Sequence, residues 1–190
     1  MAHREQYLNK IILLLLLVSM LPACKNSPVS MGRVVMSDIR LKQKLGFLYL
    51  KGVPFTGKTY ELYDNGDTAK TICYKNGKED GLTRWWHPNK QLAQERFFVN
   101  GWKQGLHKGW WPNGKIQFEY HFVNDEYEGE VREWFNNGKV SRVFHYAAGH
   151  EAGSQKMWWE DGKIRANYVI VNGEKFGLFG QKLCVNDIKG

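Results

Sequence analysis

The sequence has few of the residues that form covalent cross-links or simple metal sites. Its 190 residues include three cysteines and five prolines. Cys73 and Cys184 lie far apart in the chain and have no metal-ligand spacing to histidines or to each other. We therefore predict that both act as small apolar residues rather than as a disulfide, and that the protein binds no metal.

Motifs that carry catalysis are also missing. The sequence contains no Gly-x-Ser-x-Gly, no His-Glu-x-x-His and no glycine-rich phosphate loop. The acidic pairs Asp125-Glu126 and Glu160-Asp161 fall at predicted turns, so they do not form a positioned general acid and base. We predict a protein that is not an enzyme and uses no cofactor.

The sequence has one long apolar run, Ile11–Leu21, which is too short to span a bilayer. Arg4 and Lys10 precede it, an arrangement typical of a signal peptide. Removal of residues 1–23 would take away two basic side chains, Arg4 and Lys10, and one acidic side chain, Glu5. The whole chain has a formal net charge of +8. The positive charge therefore belongs to the remaining protein and suggests an anionic partner or surface.

The end of the apolar run, Leu21-Pro22-Ala23-Cys24, resembles the lipobox of bacterial lipoproteins. The resemblance implies cleavage before Cys24 and lipidation of that cysteine. Several acyl chains would hold the protein at a membrane of the bacterial cell envelope. Lys25 stands where an aspartate would resemble an inner-membrane retention signal, so the outer membrane is favoured in a cell with two membranes. The alternative is an ordinary secretory signal with an incidental cysteine.

Glycine is the residue that reveals the organisation of the chain. It recurs every 24 residues, at Gly57, Gly81, Gly105, Gly129, Gly153 and Gly177. A fixed period of this length is typical of repeat proteins, in which each unit is too small to bury its apolar face and packs on its neighbours. In such a linear array, Cys73 and Cys184 would be distant.

Each unit carries two turn signals. The first predicts a two-residue hairpin turn, because Asn-Gly and Asp-Gly suit the positive φ angles of such turns. It occurs at Asn65-Gly66, Asn89-Lys90, Asn113-Gly114, Asn137-Gly138 and Asp161-Gly162. The second opens the connection to the next unit, at Asn76-Gly77, Asn100-Gly101, Gly149 and Asn172-Gly173. Each unit is thus predicted to be one hairpin of an antiparallel meander.

The repeated order of a Tyr/Trp pair, Asn-Gly-Lys, an aromatic strand and a closing glycine resembles the MORN repeat in its bacterial variant form. The family is often labelled as the antitoxin of a toxin–antitoxin system. The resemblance covers roughly residues 47–184 and implies an all-β fold. We expect an elongated, twisted antiparallel meander of five 24-residue hairpin repeats, with half-repeats at each end.

We divide the chain into four segments. They are the signal peptide 1–23, the lipidated cysteine with its tether and lead-in 24–46, the repeat domain 47–184 and the tail 185–190. For residues 32–45 the pattern leaves a strand and a short helix open.

Counting outward from the Asn-Gly turns predicts which residues share a face of the sheet. One face, called here the core face, is aromatic and aliphatic and should be curled or covered. Its predicted members are Trp111, Ile116, Tyr120, Phe122, Phe135, Val140, Phe144, Tyr146, Trp159, Ile164, Tyr168 and Ile170.

The opposite face, called here the tryptophan face, carries the candidate binding residues. One indole per unit occurs at Trp86, Trp110, Trp134 and Trp158, with Leu62 at the first position. Two residues earlier come Arg84, Lys108, Arg132 and Lys156. Pairing should bring Glu95 to Arg84 and Glu119 to Lys108. Either these cations simply pair with glutamates on a solvated face, or the face is a binding surface.

The histidines give weaker signals. His87, His107 and His150 fall near predicted turns, where we expect them at the surface. His121 and His145 occupy equivalent positions on the tryptophan face, but no third metal ligand is evident at matching spacing.

We therefore predict a non-catalytic lipoprotein that offers its sheet to a protein partner, since tryptophan and arginine are common binding hot spots. One alternative is direct binding of anionic lipid or glycan by the Trp and basic residues. Another is antitoxin-like neutralisation of a toxin protein. Nucleic acid is not expected, because the predicted location lacks it and the basic residues are spread evenly.

Overall fold

The structure of the protein is a computed structural model that describes residues 32–179. The predicted signal peptide, Cys24, Cys184 and the C-terminal tail lie outside the described residues. Within residues 32–179 the regular elements are all strands. That part of the chain includes no helix long and apolar enough to cross a membrane.

Within the described residues, fifteen strands form one sheet and three form a small second sheet. The main sheet begins with β1 (Gly32–Val35), and its hairpins are β5 (Gly57–Leu62) with β6 (Thr68–Lys75), β8 (Gly81–Trp86) with β9 (Leu92–Val99), β11 (Gly105–Trp110) with β12 (Ile116–Val123), β14 (Gly129–Trp134) with β15 (Val140–Ala147), and β16 (His150–Trp158) with β17 (Ile164–Val171). It ends with β18 (Glu174–Leu178). Short return strands are β7 (Lys78–Glu79), β10 (Trp102–Lys103) and β13 (Glu126–Tyr127). The second sheet contains β2 (Leu41–Lys44), β3 (Phe47–Leu50) and β4 (Val53–Pro54).

The prediction of an all-β meander is confirmed. From β5 to β18 the long strands follow one another across the sheet in chain order and pair antiparallel. The segment 32–45, for which the sequence pattern allows a strand or a helix, forms strands. β1 pairs parallel with β5, while β2 joins β3 in the second sheet.

The hairpin tips differ from the predicted two-residue turns. In the first unit, the Gly66 N–H donates to the Tyr63 carbonyl at 2.8 Å, and the Tyr63 N–H donates to the Asp67 carbonyl at 2.8 Å. The loop therefore holds three residues, of which Gly66 has a φ of 83° and Asn65 is not left-handed. Asn65 is useful for another reason: its side-chain oxygen accepts a hydrogen bond from the Asp67 N–H at 3.0 Å.

The two-residue turns occur at the other end of the hairpins instead. Lys75 pairs with Lys78, and Asn76 and Gly77 between them have φ angles of 50° and 82°. The same geometry recurs at Asn100-Gly101, Asn124-Asp125, Ala148-Gly149 and Asn172-Gly173. Positive φ at both central residues is the signature of the hairpin turn that matches strand twist.

The three-residue tips change the register of the last rung. A β-bulge lies between Gly109 and Trp110, so that Trp110 pairs with Ile116 while Gly109 pairs with Phe118. The prediction that Trp111 faces Ile116 is therefore wrong. The equivalent bulges pair Trp134 with Val140 and Trp158 with Ile164. Ile116, Val140 and Ile164 consequently lie on the tryptophan face, because one extra residue reverses the side to which a strand points.

Further from the tips the predicted register holds. Phe122, Phe144 and Tyr168 lie on the core face and are buried. The return strands help to bury them, since Tyr127 in β13 packs its ring against Phe122 at 4.6 Å and against Tyr146 at 5.0 Å between centroids. The core of this open sheet is therefore concentrated towards the return turns.

Candidate functional site

An apolar row crosses the tryptophan face near the hairpin tips. Each indole pairs across its own hairpin with an aliphatic residue, in the pairs Trp86 with Leu92, Trp110 with Ile116, Trp134 with Val140 and Trp158 with Ile164. The four tryptophans are half-buried. We call these eight residues the tryptophan row. The β-bulge creates it, because without the register shift the aliphatic residues would point to the core face.

The polypeptide backbone beneath this row is tied together between units. The Tyr63 hydroxyl donates to the Trp86 carbonyl at 2.6 Å. One unit later the His87 Nε2–H donates to the Trp110 carbonyl at 2.8 Å, and the Trp111 Nε1–H donates to the Trp134 carbonyl at 3.1 Å. Each bond links a tip residue to the tryptophan of the next unit, so the indoles are held at regular spacing.

The predicted basic residues lie one rung further from the tips and are largely matched by acids. Arg84 contacts Glu95 at 2.7 Å and Lys108 contacts Glu119 at 2.9 Å, as predicted. Lys108 also faces Glu95 on the preceding hairpin, and Glu119 faces Arg132 on the following one.

The rung therefore alternates in sign from Arg84 to Arg132. This alternation supports the interpretation of a solvated face with paired charges, because it cancels most of the local positive potential.

The other two candidate cations, Arg132 and Lys156, have different surroundings. Arg132 contacts Glu130 at 2.6 Å, and its guanidinium lies 5.9 Å from the centre of the Trp134 ring. Lys156 is exposed and faces Asn167 across the hairpin. The four candidate tryptophans and the four candidate cations thus all lie on the tryptophan face. The ion pairs between exposed or half-exposed groups each contribute little to stability.

The prediction that His107 lies at the surface near a turn is wrong. The residue lies inside β11, is 1% exposed, and donates from Nε2 to the Phe97 carbonyl at 2.9 Å. Burial lowers its pKa, and the nearby Arg96 and Lys103 charges lower it further. Its ring packs against Phe122 with centroids 4.7 Å apart.

The third residue of every unit shares this buried position. The set is Thr59, Thr83, His107, Val131 and Gln155, each at most 3% exposed. Gln155 repeats the role of His107, because its Nε2 donates to the His145 carbonyl at 2.8 Å, ten residues earlier. Aligning the units on their glycines places His107 with the buried Thr83 and Val131, and that alignment is the sequence signal that could have identified it.

The core face also contains a polar group near its middle. The Tyr120 hydroxyl donates to Glu133 at 2.8 Å, and Arg142 donates to the same carboxylate oxygen at 3.0 Å. Burial raises the pKa of Tyr120, and the hydrogen bond to Glu133 adds to this. A tyrosine that holds its proton and a carboxylate that is already bonded twice make a structural network rather than an acid–base pair.

The described residues contain no group of three or more His, Cys, Asp or Glu side chains able to hold a metal ion. His145 instead hydrogen-bonds through Nδ1 to the Ser154 carbonyl at 2.7 Å and approaches Glu130 at 3.6 Å. His121 is exposed on the same face. Cys73 is buried in β6.

A hollow of about 360 Å³ opens at the N-terminal end of the tryptophan row. We call it the first-repeat hollow. It is lined by Tyr60, Asp67, Thr68, Thr71, Trp86 and Lys90. A second hollow, of about 200 Å³, lies on the core face beside Tyr120 and Glu133.

Comparison with known proteins supports the repeat assignment. Residues 79–100, 103–124 and 127–148 match the family model described as MORN repeat variant. These are three consecutive repeats from the centre of the sheet. MORN repeats are often binding or scaffolding modules, and this all-β repeat fold is a binding-type module rather than that of a known enzyme family.

No curated protein matches the chain. Among solved structures, the chain is similar to a protein described as "Crystal structure of GtfA/B complex bound to UDP and GlcNAc". The identity is 8% and the TM-score 0.23, with 73% of this chain and 23% of the other covered. This chain thus spans less than a quarter of that protein, and the similarity is too low to bear on function.

Proposed function

We propose that this protein is an envelope-anchored bacterial lipoprotein whose repeat sheet is a non-catalytic docking surface for a protein partner. The observation that carries the proposal is the tryptophan row, a half-exposed apolar stripe that crosses the sheet instead of being covered by another layer of the described chain. Contiguous exposed apolar surface of this kind typically marks an interaction site.

The dimensions of the row suit a partner that runs across the strands. Neighbouring strands lie about 4.8 Å apart, so successive indoles, which are two strands apart, are separated by about 9–10 Å. The row from Trp86 to Trp158 covers six strand spacings and is about 30 Å long. An extended protein segment could place one apolar side chain between each pair of indoles.

The charges beside the row favour a protein over an anionic lipid or glycan. A surface that recruits anions by charge keeps its cations unmatched, whereas Arg84, Lys108 and Arg132 each contact a glutamate. An alternating row of charges instead offers register and specificity to a partner with the complementary pattern.

The test is replacement of two central indoles, Trp110→Ala with Trp134→Ala. The protein and its variants would be cross-linked in their own membranes and purified, and the co-purifying proteins compared. We expect one near-stoichiometric protein with the wild type and its loss with the double variant. The matched control is Trp102→Ala with Trp159→Ala, because both of those indoles are more than half exposed and lie off the row.

The controls make the outcomes distinguishable. Circular dichroism and thermal melting would show that the double variant is folded. Equal capture by the double variant and the wild type would refute the docking surface. Unfolding of the double variant would show that the row belongs to the core. Recovery of anionic lipid or glycan alone, sensitive to salt, would favour that class of ligand instead.

A further inference from the structure

The first-repeat hollow is lined by residues that depart together from the pattern of the repeat. At the position of Tyr60, the later units carry Arg84, Lys108, Arg132 and Lys156. At the position of Thr68, they carry Leu92, Ile116, Val140 and Ile164. At the position of Thr71, they carry Glu95, Glu119, Val143 and Asn167. Tyr60 thus replaces a cation, Thr68 replaces a larger aliphatic residue, and Thr71 replaces the glutamate of the next two units.

These replacements explain why a hollow exists at this end of the row. Leu62 stands where the later units have tryptophan, so the neighbour of Trp86 on this side is a smaller aliphatic residue. Thr68 pairs with Leu62, in place of the larger aliphatic residue that faces each indole elsewhere. The missing volume lies next to Trp86, which lines the hollow with Tyr60.

Lys90 is a second departure, and it affects the backbone. Its φ is 69°, and the equivalent residues Gly66, Gly114, Gly138 and Gly162 are glycines with φ between 80° and 92°. A lysine in this left-handed conformation is strained relative to glycine. Its Nζ lies 3.0 Å from Asp67, which stands where the later units have Gln91 or a lysine.

The chemistry of the hollow fits a neutral, polyhydroxylated ring. Trp86 and Tyr60 offer apolar ring surface, and the Thr68 and Thr71 hydroxyls can donate and accept hydrogen bonds. Asp67 and Lys90 present an acceptor and a donor side by side, and their charges cancel. We propose that the first-repeat hollow binds one sugar unit of a neutral saccharide, with the ring against Trp86 and its hydroxyls on Asp67 and Lys90.

This saccharide site shares Trp86 with the tryptophan row, but it lies at one end of the row and takes a different class of ligand from the proposed protein partner. The hollow is small and open, so the affinity should be in the millimolar range, about −4 kcal/mol. Its volume of about 360 Å³ lies at the lower end of ligand pockets, as expected for a single sugar ring.

The test uses the full chain, purified in a detergent without a sugar headgroup. Binding of maltotriose, cellotriose and mannotriose would be measured by saturation-transfer NMR, with inorganic phosphate as the anionic probe. We expect at least one saccharide to bind the wild type. Trp86→Ala should weaken binding at least tenfold, while Trp158→Ala, at the other end of the row, should leave it unchanged.

Two further variants restore the residues of the sister units. Thr68→Ile fills the hollow with the side chain found at Ile116, and Lys90→Gly removes the ammonium group and relieves the backbone strain. Both variants should fold as well as the wild type. Thr68→Ile should weaken saccharide binding tenfold or more, and Lys90→Gly should weaken it about threefold to tenfold. The double variant Trp110→Ala with Trp134→Ala should keep saccharide binding, which separates the two proposals.

Three results would overturn this inference. They are the absence of saturation transfer to every saccharide, full binding by Trp86→Ala or by Thr68→Ile, and binding of phosphate alone with loss in high salt. The last result would make the hollow an anion site centred on Lys90.

Discussion

Gly109 offers the sharpest test of how the repeats pack. It occupies the fifth position of its unit, where the other units have Glu61, Trp85, Glu133 and Met157. Phe118 lies directly across the hairpin, and a Cβ atom added at Gly109 would be 2.1 Å from its Cε1. Carbon atoms normally approach to about 3.5 Å, so the Gly109→Ala change requires a shift of about 1.4 Å.

The ring of Phe118 has little freedom to make that shift. It is buried and stacks on Tyr120 with centroids 4.4 Å apart and an interplanar angle of 15°. Overpacking of this kind destabilises by about 1–3 kcal/mol, although alanine is intrinsically better than glycine in a strand by about 0.5–1 kcal/mol. We expect Gly109→Ala to lower the free energy of unfolding by about 1–2 kcal/mol.

The assay is urea unfolding followed by tryptophan fluorescence, with a double-mutant cycle as control. Unit five supplies a compatible pair, since Met157 faces Ala166 at the same two positions. Gly109→Met should therefore be strongly destabilising alone and much less so together with Phe118→Ala, with a coupling energy of at least about 1 kcal/mol. Additive effects, or an unchanged stability of Gly109→Ala, would refute the packing argument.

Two further predictions concern acid stability and membrane attachment. The free energy of unfolding should fall as the pH drops below 6.5, because burial lowers the pKa of His107 in the fold and the unfolded chain takes up the proton first. His107→Gln places at this position the residue found at Gln155. It should reduce the loss of unfolding free energy between about pH 7.5 and pH 5.5, measured by urea titrations. An identical pH dependence in the variant and the wild type would contradict this prediction. Cys24→Ser should move the protein from the membrane pellet to the soluble fraction on cell fractionation, because it would remove the proposed lipid anchor. Its retention in the pellet after a high-salt wash would argue against lipidation.

The repeat could be predicted from the sequence because its signals are local. The glycine period and the turn residues act within a few positions of the chain, so they identify the hairpins and their order. Once a hairpin is given, cross-strand neighbours follow by counting, which is why the contacts of Arg84 with Glu95 and Lys108 with Glu119 are predictable. The composition of the tryptophan row could be predicted only in part, because its aliphatic half depends on the bulges.

The bulge itself shows where local signals are ambiguous. Asn-Gly suits a two-residue turn, but the same dipeptide also suits a three-residue loop in which Asn bonds the backbone two residues on and glycine alone is left-handed. The choice reverses the side on which Ile116 lies. The register of the folded hairpin shows which of the two loops forms.

The sequence by itself thus determined an all-β array of hairpins, its period and the identity of its indole and charged rungs, because these depend on spacing along the chain. Only the tertiary structure decided that His107 is buried, that residues 32–45 form strands, and that a hollow opens beside Trp86. Each of these depends on contacts between separate strands: the return strands that cover the core face, the parallel pairing of β1 with β5, and the space left where one unit meets the next.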